Sequence, residues 1–232
     1  MSYIIFRGSS TANLPGVEVS EMPSHGKASM RTTQYYIKGR DGALHVDDGY
    51  ANFDTKAVLV LIDATAATRQ IVNAWADGTG KLITSDDLTK AFLASVKQEI
   101  KWTRIRGNSG YFDTAKIVFN CQPYMVEAVD SVLVLTETGT IASQGNMIAY
   151  PLIKVEGSGD VTFTFNGENI AINDMTANDP VYIDCETGYI YTETGSAKTM
   201  TGEIPNLSIG TNTITFGNNL TKLTVTPRWR WI

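Results

Sequence analysis

VTFTFNGENIAI, residues 161–172, is the stretch that decides the fold of this chain. Apolar and polar residues alternate on both sides of Asn166-Gly167, and a period of two is typical of half-buried β-strands. Asn-Gly between two such runs is the strongest short signal of a β-hairpin, because a type I′ turn requires positive φ at both central residues. The stretch therefore predicts antiparallel β-structure.

Two further pairs of alternating segments follow in the second half of the chain. They are 181–185 with 189–192 around Glu186-Thr-Gly188, and 211–216 with 220–225 around Gly217-Asn-Asn219. Each pair predicts a hairpin. Short strands separated by turn residues at this spacing are typical of antiparallel sandwiches and jelly rolls.

The first half of the chain mixes strands with one helix. Residues 57–62 (AVLVLI) form a continuous apolar run, which predicts a strand buried on both faces. Residues 90–106 and 112–120 predict a long β-hairpin, with Ser109 in its turn. The fold class is therefore mostly β, with a helix-bearing β-domain followed by an antiparallel β-sandwich.

One amphipathic helix is predicted between these strands. Its apolar face is expected to carry Ala67, Ile71, Ala74, Trp75 and Gly78, which are spaced at i, i+4, i+7, i+8 and i+11. Thr65 is expected to cap the first turn of the helix, and Gly78 is expected to end it.

The charge distribution indicates two domains. Residues 1–124 carry 14 Lys/Arg and 12 Asp/Glu, whereas residues 125–232 carry 5 and 12, so the net charge changes from about +2 to −7. Pro123 suits a strand end or linker, because proline cannot donate to a strand ladder. We place the domains at 1–124 and 125–232, and the last strand of the chain could still return to the first domain.

The composition argues against several classes of protein. The acidic second half disfavours nucleic acid and anionic lipid as partners, because both require clustered Lys/Arg. No apolar run approaches the roughly 18 residues of a membrane span, and we expect no secretory leader. Cys121 and Cys185 are too few for a disulfide scaffold, and two buried free thiols are the simpler interpretation than a bridge.

Metal and nucleotide sites lack their usual patterns. His25 and His45 do not stand in a zinc-ligand spacing, and the aspartates of residues 39–50 do not match a calcium loop. Gly80-Lys81 lacks the preceding glycine and the following hydroxyl of a phosphate-binding loop. We predict neither a metal site nor a cofactor.

Catalytic patterns are equally weak. Ser109 does not stand in a nucleophile elbow. Glycoside hydrolysis requires only two carboxylates, so a small glycan-cleaving enzyme stays an alternative without a local pattern to favour it. We predict no catalytic residues and no enzyme activity.

Two aromatic groups are candidate binding residues. Tyr182, Tyr189 and Tyr191 could stack on sugars, although a sandwich also uses aromatic side chains for packing. The segment Arg228-Trp-Arg-Trp231 places Trp229 and Trp231 on one strand face and Arg228 and Arg230 on the other. It is interpreted either as a partner anchor with a charged rim or as a final core strand.

GRDGALHVDDGY, residues 39–50, is a charged, glycine-rich stretch between strand-like segments. Arg40 offers a rigid fork of donors for a carboxylate of another molecule. The stretch is interpreted either as a loop that meets another protein or as a hairpin locked inside its own subunit. The expected contact residues are Gly39, Arg40, Asp41, Gly42, Asp47, Asp48 and Tyr50.

The order of the short motifs resembles the distal tail protein family of phages with long, flexible, non-contractile tails. The resemblance covers nearly the whole chain and depends on order rather than on one motif. The motifs are Gly39-Arg-Asp-Gly42, Asp48-Gly-Tyr50, the helix with Trp75, Lys81-Leu-Ile83, Phe119-Asn-Cys-Gln-Pro123, Asn146 to Pro151, Lys154-Val-Glu-Gly-Ser-Gly159, Asn166-Gly167, Val181-Tyr-Ile-Asp184, Pro205-Asn-Leu207 and Gly210-Thr-Asn212.

This resemblance implies a fold and a function. It implies a ring-forming N-terminal β-domain with one helix and a peripheral galectin-like sandwich. Six copies would form a ring at the tail tip, assembled in the host cytoplasm, and residues 39–50 would contact a neighbouring subunit or the tail tube protein. The ring would join the tail tube protein to the tail-tip hub or tail-associated lysin protein, anchor receptor-binding proteins and leave a channel for DNA. A carbohydrate-binding protein that acts through the sandwich is the alternative.

Overall fold

The computed structural model describes residues 2–107 and 110–232. The chain divides into two compact units, Met1–Ala128 with Ile232, and Val129–Trp231, called unit 1 and unit 2 below. Ser109, which was considered in the turn of the predicted long hairpin, lies outside the described residues.

Unit 1 consists of ten strands and one α-helix in its described residues. They are β1 (Ile4–Phe6), β2 (Ser9–Ser10), β3 (Val17–Glu21), β4 (Met30–Tyr35), β5 (Leu44–Tyr50), β6 (Phe53–Ile62), α1 (Ala66–Trp75), β7 (Gly78–Thr84), β8 (Asp87–Val96), β9 (Trp102–Gly107) and β10 (Gly110–Glu127). Eight strands form one antiparallel sheet in the order β2-β1-β7-β8-β10-β6-β3, with β9 beside the first part of β10. β4 and β5 form a separate two-stranded sheet.

β10 is the longest strand of unit 1 and organises its sheet. It pairs with β6 along ten residue pairs, and on its other side it pairs first with β9 and then with β8. The predicted hairpin of 90–106 with 112–120 is therefore wrong in detail, because two strands share the first segment. Pro123 lies inside β10 at a register shift between Cys121 and Met125, where a residue without an N–H is tolerated.

β6 is not buried on both faces as predicted. Ala57, Leu59 and Leu61 are fully buried against the helix side, which we call the core face. Val60 is half-buried and Ile62 is 45% exposed on the opposite, outer face. One face of the continuous apolar run is thus buried in the core, and the other face presents partly exposed apolar side chains.

The helix begins where the sequence predicts. Thr65 is its N-cap and exchanges hydrogen bonds with Thr68 in a capping box. The helix ends at Trp75, before Gly78 is reached.

The buried face of α1 differs from the predicted one. Val72, Trp75 and Ala76 face the sheet, whereas Ala67, Ile71 and Ala74 are exposed. Contacts outside the helix fix this rotation. The Trp75 indole donates to the Ser9 carbonyl at 2.9 Å, and Arg69 donates to the Asp113 carboxylate of β10.

Unit 2 is an antiparallel sandwich, as predicted. Its strands are β11 (Leu133–Leu135), β12 (Gly139–Ala142), β13 (Leu152–Gly157), β14 (Gly159–Phe165), β15 (Glu168–Met175), β16 (Val181–Asp184), β17 (Tyr189–Thr192), β18 (Thr211–Phe216) and β19 (Leu220–Thr226). A five-stranded sheet, β11-β19-β13-β16-β17, and a four-stranded sheet, β12-β18-β14-β15, enclose one apolar core.

Two of the three predicted hairpins of unit 2 are confirmed. Asn166 and Gly167 have φ of 51° and 88° and join β14 to β15. β16 pairs with β17 in the second hairpin. The third is wrong, because β18 and β19 belong to different sheets. Gly217 instead passes so close to Thr162 that a Cβ would lie 2.6 Å from its carbonyl oxygen, and the chain crosses from one sheet to the other there.

β19, the last strand, pairs with β11 and β13 inside unit 2. Cys121 and Cys185 are free and buried in different units. Burial raises the pKa of each thiol to about 12, so both are protonated at neutral pH.

A buried ion-pair cluster holds the helix to the sheet. Asp113 is 1% exposed and accepts hydrogen bonds from Arg69 Nε at 2.6 Å and Arg104 Nε at 2.9 Å. Burial by itself would raise the pKa of this carboxyl group, but the hydrogen bonds and charges of the two arginines outweigh it and hold the pKa below its usual range. Arg104 also donates to the Ala64 carbonyl just before the helix.

Replacement of Asp113 by Asn should destabilise unit 1 by about 1–2 kcal/mol at pH 7, because two charge-assisted contacts are lost while the arginine side chains, 32% and 52% exposed, still reach water. The folded-state pKa is depressed, so this contribution is present above the unfolded pKa of about 3.9 and is lost as the pH falls through the folded value. Urea unfolding at pH 7 and pH 3 should therefore show a large difference between wild type and variant that shrinks in acid. Asp86→Asn, in an exposed turn, is the control, and equal destabilisation at both pH values would contradict the assignment.

Candidate functional site

The candidate site is the two-stranded sheet of β4 and β5 with its connecting turn, residues 30–50, which we call the arm. The strands pair antiparallel with Thr33 opposite Val46 and Tyr35 opposite Leu44. A glycine-containing turn joins them, in which Gly39 and Gly42 have φ of 85° and 76°. The predicted contact stretch, residues 39–50, is therefore half of a hairpin: its turn and its returning strand.

The predicted contact residues occupy three positions in the arm. Arg40 and Asp41 are exposed in the turn between the two glycines. Asp47 is exposed in β5, whereas Asp48 accepts a hydrogen bond from the Thr33 hydroxyl and is engaged inside the arm. The turn residues Arg40 and Asp41 are thus exposed, and Asp48 links the two strands of the arm through its hydrogen bond to Thr33.

The base of the arm is fixed to unit 1. Tyr50 packs edge-to-face on Tyr124 with ring centroids 5.8 Å apart. The Asn52 amide donates to the Asn120 side chain of β10 at 3.2 Å. Because these contacts lie where β6 begins, the arm leaves the sheet at that end of the β6–β10 ladder.

The arm exposes apolar side chains on both strands. Tyr36 is 79% exposed and Ile37 is 50% exposed beside the turn. The other exposed apolar residues of the arm are Met30, Tyr35, Leu44 and Val46. The sequence analysis did not single out these residues, because it concentrated on charged residues. The run Tyr35-Tyr36-Ile37 before a glycine-rich turn could have indicated them.

Such an arm is poorly stabilised by its own contacts. A two-stranded hairpin is marginally stable at best in water, and here the strands are exposed along almost their whole length. A contiguous exposed apolar surface usually marks a site of interaction with another protein. The geometry of the arm therefore favours a contact element over a binding pocket or a catalytic loop.

The C-terminal segment is held within unit 2. Trp229 is fully buried in the sandwich core, and the Trp231 indole donates to the Gln144 carbonyl at 3.0 Å. Arg228 pairs with Asp184 at 2.6 Å, and Arg230 pairs with Glu186 at 2.7 Å. Trp229 lies beyond the end of β19, so it is a core residue outside any strand, and its burial leaves it inaccessible as an anchor.

Arg228 and Arg230 are engaged in contacts within their own chain, and they would have to break these contacts to form the charged rim of an interface. Burial alone would raise the pKa of Asp184, but the hydrogen bond and charge of Arg228 hold that pKa below its usual range. Arg230 stacks over the Tyr150 ring at 4.9 Å. The segment therefore closes the sandwich of its own chain.

The three tyrosines considered for sugar binding lie on the outer side of the five-stranded sheet. Tyr182 and Tyr191 are cross-strand neighbours and their rings stack on each other, 5.4 Å apart and tilted by 10°. Lys154, from the strand on the other side, lies over the Tyr182 ring at 5.6 Å. The faces of Tyr182 on which a sugar would stack are thus covered, and of the three only Tyr189 is well exposed.

Residues 2–107 and 110–232 contain neither a cluster of metal ligands nor a membrane-spanning helix. No group of three or more His, Cys, Asp or Glu side chains there is placed to hold a metal ion. No helix in that part of the chain is both long and apolar enough to cross a membrane.

Comparison with solved structures identifies the fold. The chain is similar to the crystal structure of SPP1 Dit, described as a paradigm of the hub adsorption apparatus in phages that infect Gram-positive bacteria, with a TM-score of 0.72, 14% identity and 98% of each chain covered. The expected fold is therefore confirmed.

Weaker similarity extends to two structures of the activated phage P2 baseplate, with calcium and with strontium. Their TM-scores are 0.48 and 0.47, at 10% and 9% identity, with 97–98% of each chain covered. No protein-family model matches the chain, and no curated protein sequence matches it.

The arm should be the least protected strand pair of unit 1 in the monomeric chain. Its amides have few buried neighbours, so local opening costs little free energy. Hydrogen exchange followed by mass spectrometry should show amides of β4 and β5 approaching the rates of an unfolded peptide, while amides of β6 remain protected. Equal protection of β5 and β6 in the monomer would show that the arm is stabilised inside its own chain.

Proposed function

We propose that this chain is a structural protein of a phage virion, a distal tail protein that forms a ring of six copies at the end of a long non-contractile tail. The observation that carries the proposal is the fold, which the chain shares with SPP1 Dit over 98% of both chains. The order of the short sequence motifs resembles the same family. The chain acts as an assembly element and not as an enzyme.

The arm supports a role in assembly. Its apolar side chains and the Arg40 guanidinium are exposed in the single chain. A second protein surface would bury the apolar side chains and could offer a carboxylate to Arg40. Contact between subunits, or between the ring and the tail tube, supplies such a surface. The predicted contact residues Gly39, Arg40, Asp41 and Gly42 form the turn that would reach it.

The proposed ring has four kinds of partner. It binds further copies of itself, the tail tube protein on one side and the tail-tip hub or tail-associated lysin protein on the other, and it anchors receptor-binding proteins. The DNA passes through its channel without sequence-specific contacts. We place the protein at the tail tip of the virion, after assembly in the host cytoplasm.

Unit 2 contributes solubility and a peripheral surface in this proposal. Residues 125–232 carry a net charge of −7, which disfavours self-association through this half of the chain. The carbohydrate-binding alternative would act through the same unit. The covered ring faces of Tyr182 do not favour it.

The solution mass of the purified chain tests the ring. Light scattering across a dilution series should give a species near 152 kDa, six times the monomer mass of 25.3 kDa. Negative-stain images of that species should show six-fold rings. A chain that remains at 25.3 kDa at every concentration, and also in the presence of the tube and hub proteins, would contradict the proposal.

Arg40→Ala tests the part played by the arm. Loss of a charge-assisted contact at each subunit boundary should shift the hexamer-to-monomer transition to a concentration at least about tenfold higher, which corresponds to about 1.4 kcal/mol. Lys101→Ala removes an exposed cation from elsewhere in unit 1 and should leave the transition unchanged. An Arg40→Ala ring that dissociates like the wild type would remove Arg40 from the contact.

A further inference from the structure

The outer face of the unit 1 sheet carries an apolar groove. Phe112 stands between Ile62 on one neighbouring strand and Ile105 on the other, and all three point away from the helix. Ile62, Ile105 and Tyr111 are exposed, while Val60 and Phe112 are half-buried. We call this surface the outer groove; its volume is ≈ 450 Å³, and it is lined by Val60, Ile62, Asp63, Gly107, Gly110, Tyr111 and Phe112.

The outer groove and the base of the arm lie at opposite ends of the same strand pair. The arm is fixed beside Phe53, where β6 begins and Cys121 pairs with it. The groove surrounds Ile62, where β6 ends. Ten residues of strand separate the two by roughly 30 Å. In the single chain, the tip of the arm is exposed and does not fill the groove.

The two surfaces match in chemistry. The arm presents Tyr36 and Ile37 together with the cations Lys38 and Arg40. Two acids lie in or beside the groove: Asp63 lines it directly after β6 ends, and Glu18 of β3 is the cross-strand neighbour of Val60. Docking would bury the apolar side chains of both surfaces and bring cations beside carboxylates.

We propose that the outer groove receives the tip of the arm from a second copy of this chain. The contact is heterologous, because a different surface is used on each partner, and such contacts repeat head to tail until a ring closes. The inference rests on the proposed ring and specifies its subunit boundary: Ile37 of one copy lies against Ile62 and Phe112 of the next.

Cysteine cross-linking of mixed variants tests the contact. Ile37→Cys and Ile62→Cys are prepared separately, mixed, allowed to assemble and treated with a short bismaleimide. Both natural thiols are buried with pKa values raised to about 12, so they compete little for the reagent. Because each chain carries one introduced thiol, the expected product is a covalent dimer in the mixture, with at least about tenfold less in either variant alone.

The outcomes separate this inference from the proposed function. A ring of six copies without cross-linked dimer in the mixture would overturn the groove assignment and leave the ring intact. Equal dimer yield from Ile62→Cys alone would overturn it as well, because the groove would then face another groove. A wild-type chain that never assembles would overturn the ring and the groove contact together.

A charge substitution gives a second test. Ile62→Asp places a carboxylate in the groove and should convert the ring to monomers at concentrations where the wild type is fully assembled. Ile148→Asp is the matched control, because Ile148 is 46% exposed, against 45% for Ile62, and lies in unit 2. Circular dichroism confirms that both variants fold. A folded Ile62→Asp chain that assembles like the control would overturn the proposal.

Discussion

The ladder between β6 and β10 is the contact on which unit 1 depends. Its ten residue pairs join two interior strands of the large sheet, and its core face receives the helix. The buried Asp113 projects from this ladder and ties both Arg69 of the helix and Arg104 of β9 to it. The arm leaves at one end of the ladder and the outer groove lies at the other, so one pair of strands positions both surfaces of the proposed contact.

Local signals in the sequence predicted elements well when the determining contact was itself local. Asn166-Gly167 forms its turn because two successive residues accept positive φ, and Thr65 caps its helix through a residue three positions away. The rotation of the helix was predicted wrongly, because Ser9 and Asp113 decide which side faces the sheet and both are distant in sequence. Turn chemistry around Gly217 likewise could not show that the flanking strands join different sheets.

The candidate site was predicted only in part for a related reason. Arg40 and its neighbours stood out because charge and glycine are visible in a sequence, and the structure places them at an exposed turn. Exposed apolar residues do not stand out, since the run at 57–62 looks the same whether it is buried on one face or two. Only the position of the helix shows that Ile62 and Val60 lie on the uncovered side. Trp229 shows the reverse error: the sequence allowed it to be an exposed partner anchor, but the structure buries it in the core of unit 2.

A subunit boundary built in this way constrains how the ring can vary. In the proposed contact, the angle between the arm base and the groove depends on the twist of β6 and β10 over roughly 30 Å, and this twist arises from steric contacts of Cβ and carbonyl atoms along the strands. Core residues of this ladder, such as Ala57, Leu59 and Ile117, hold the two strands in that geometry and would therefore influence the rotation between successive copies of the proposed ring. A head-to-tail contact closes at six copies only when that rotation is 60°, and otherwise it continues as a helix. In the proposed ring, the core of unit 1 would thus meet two requirements, stability and a fixed twist, whereas the strands of the unit 2 sandwich take no part in the ladder.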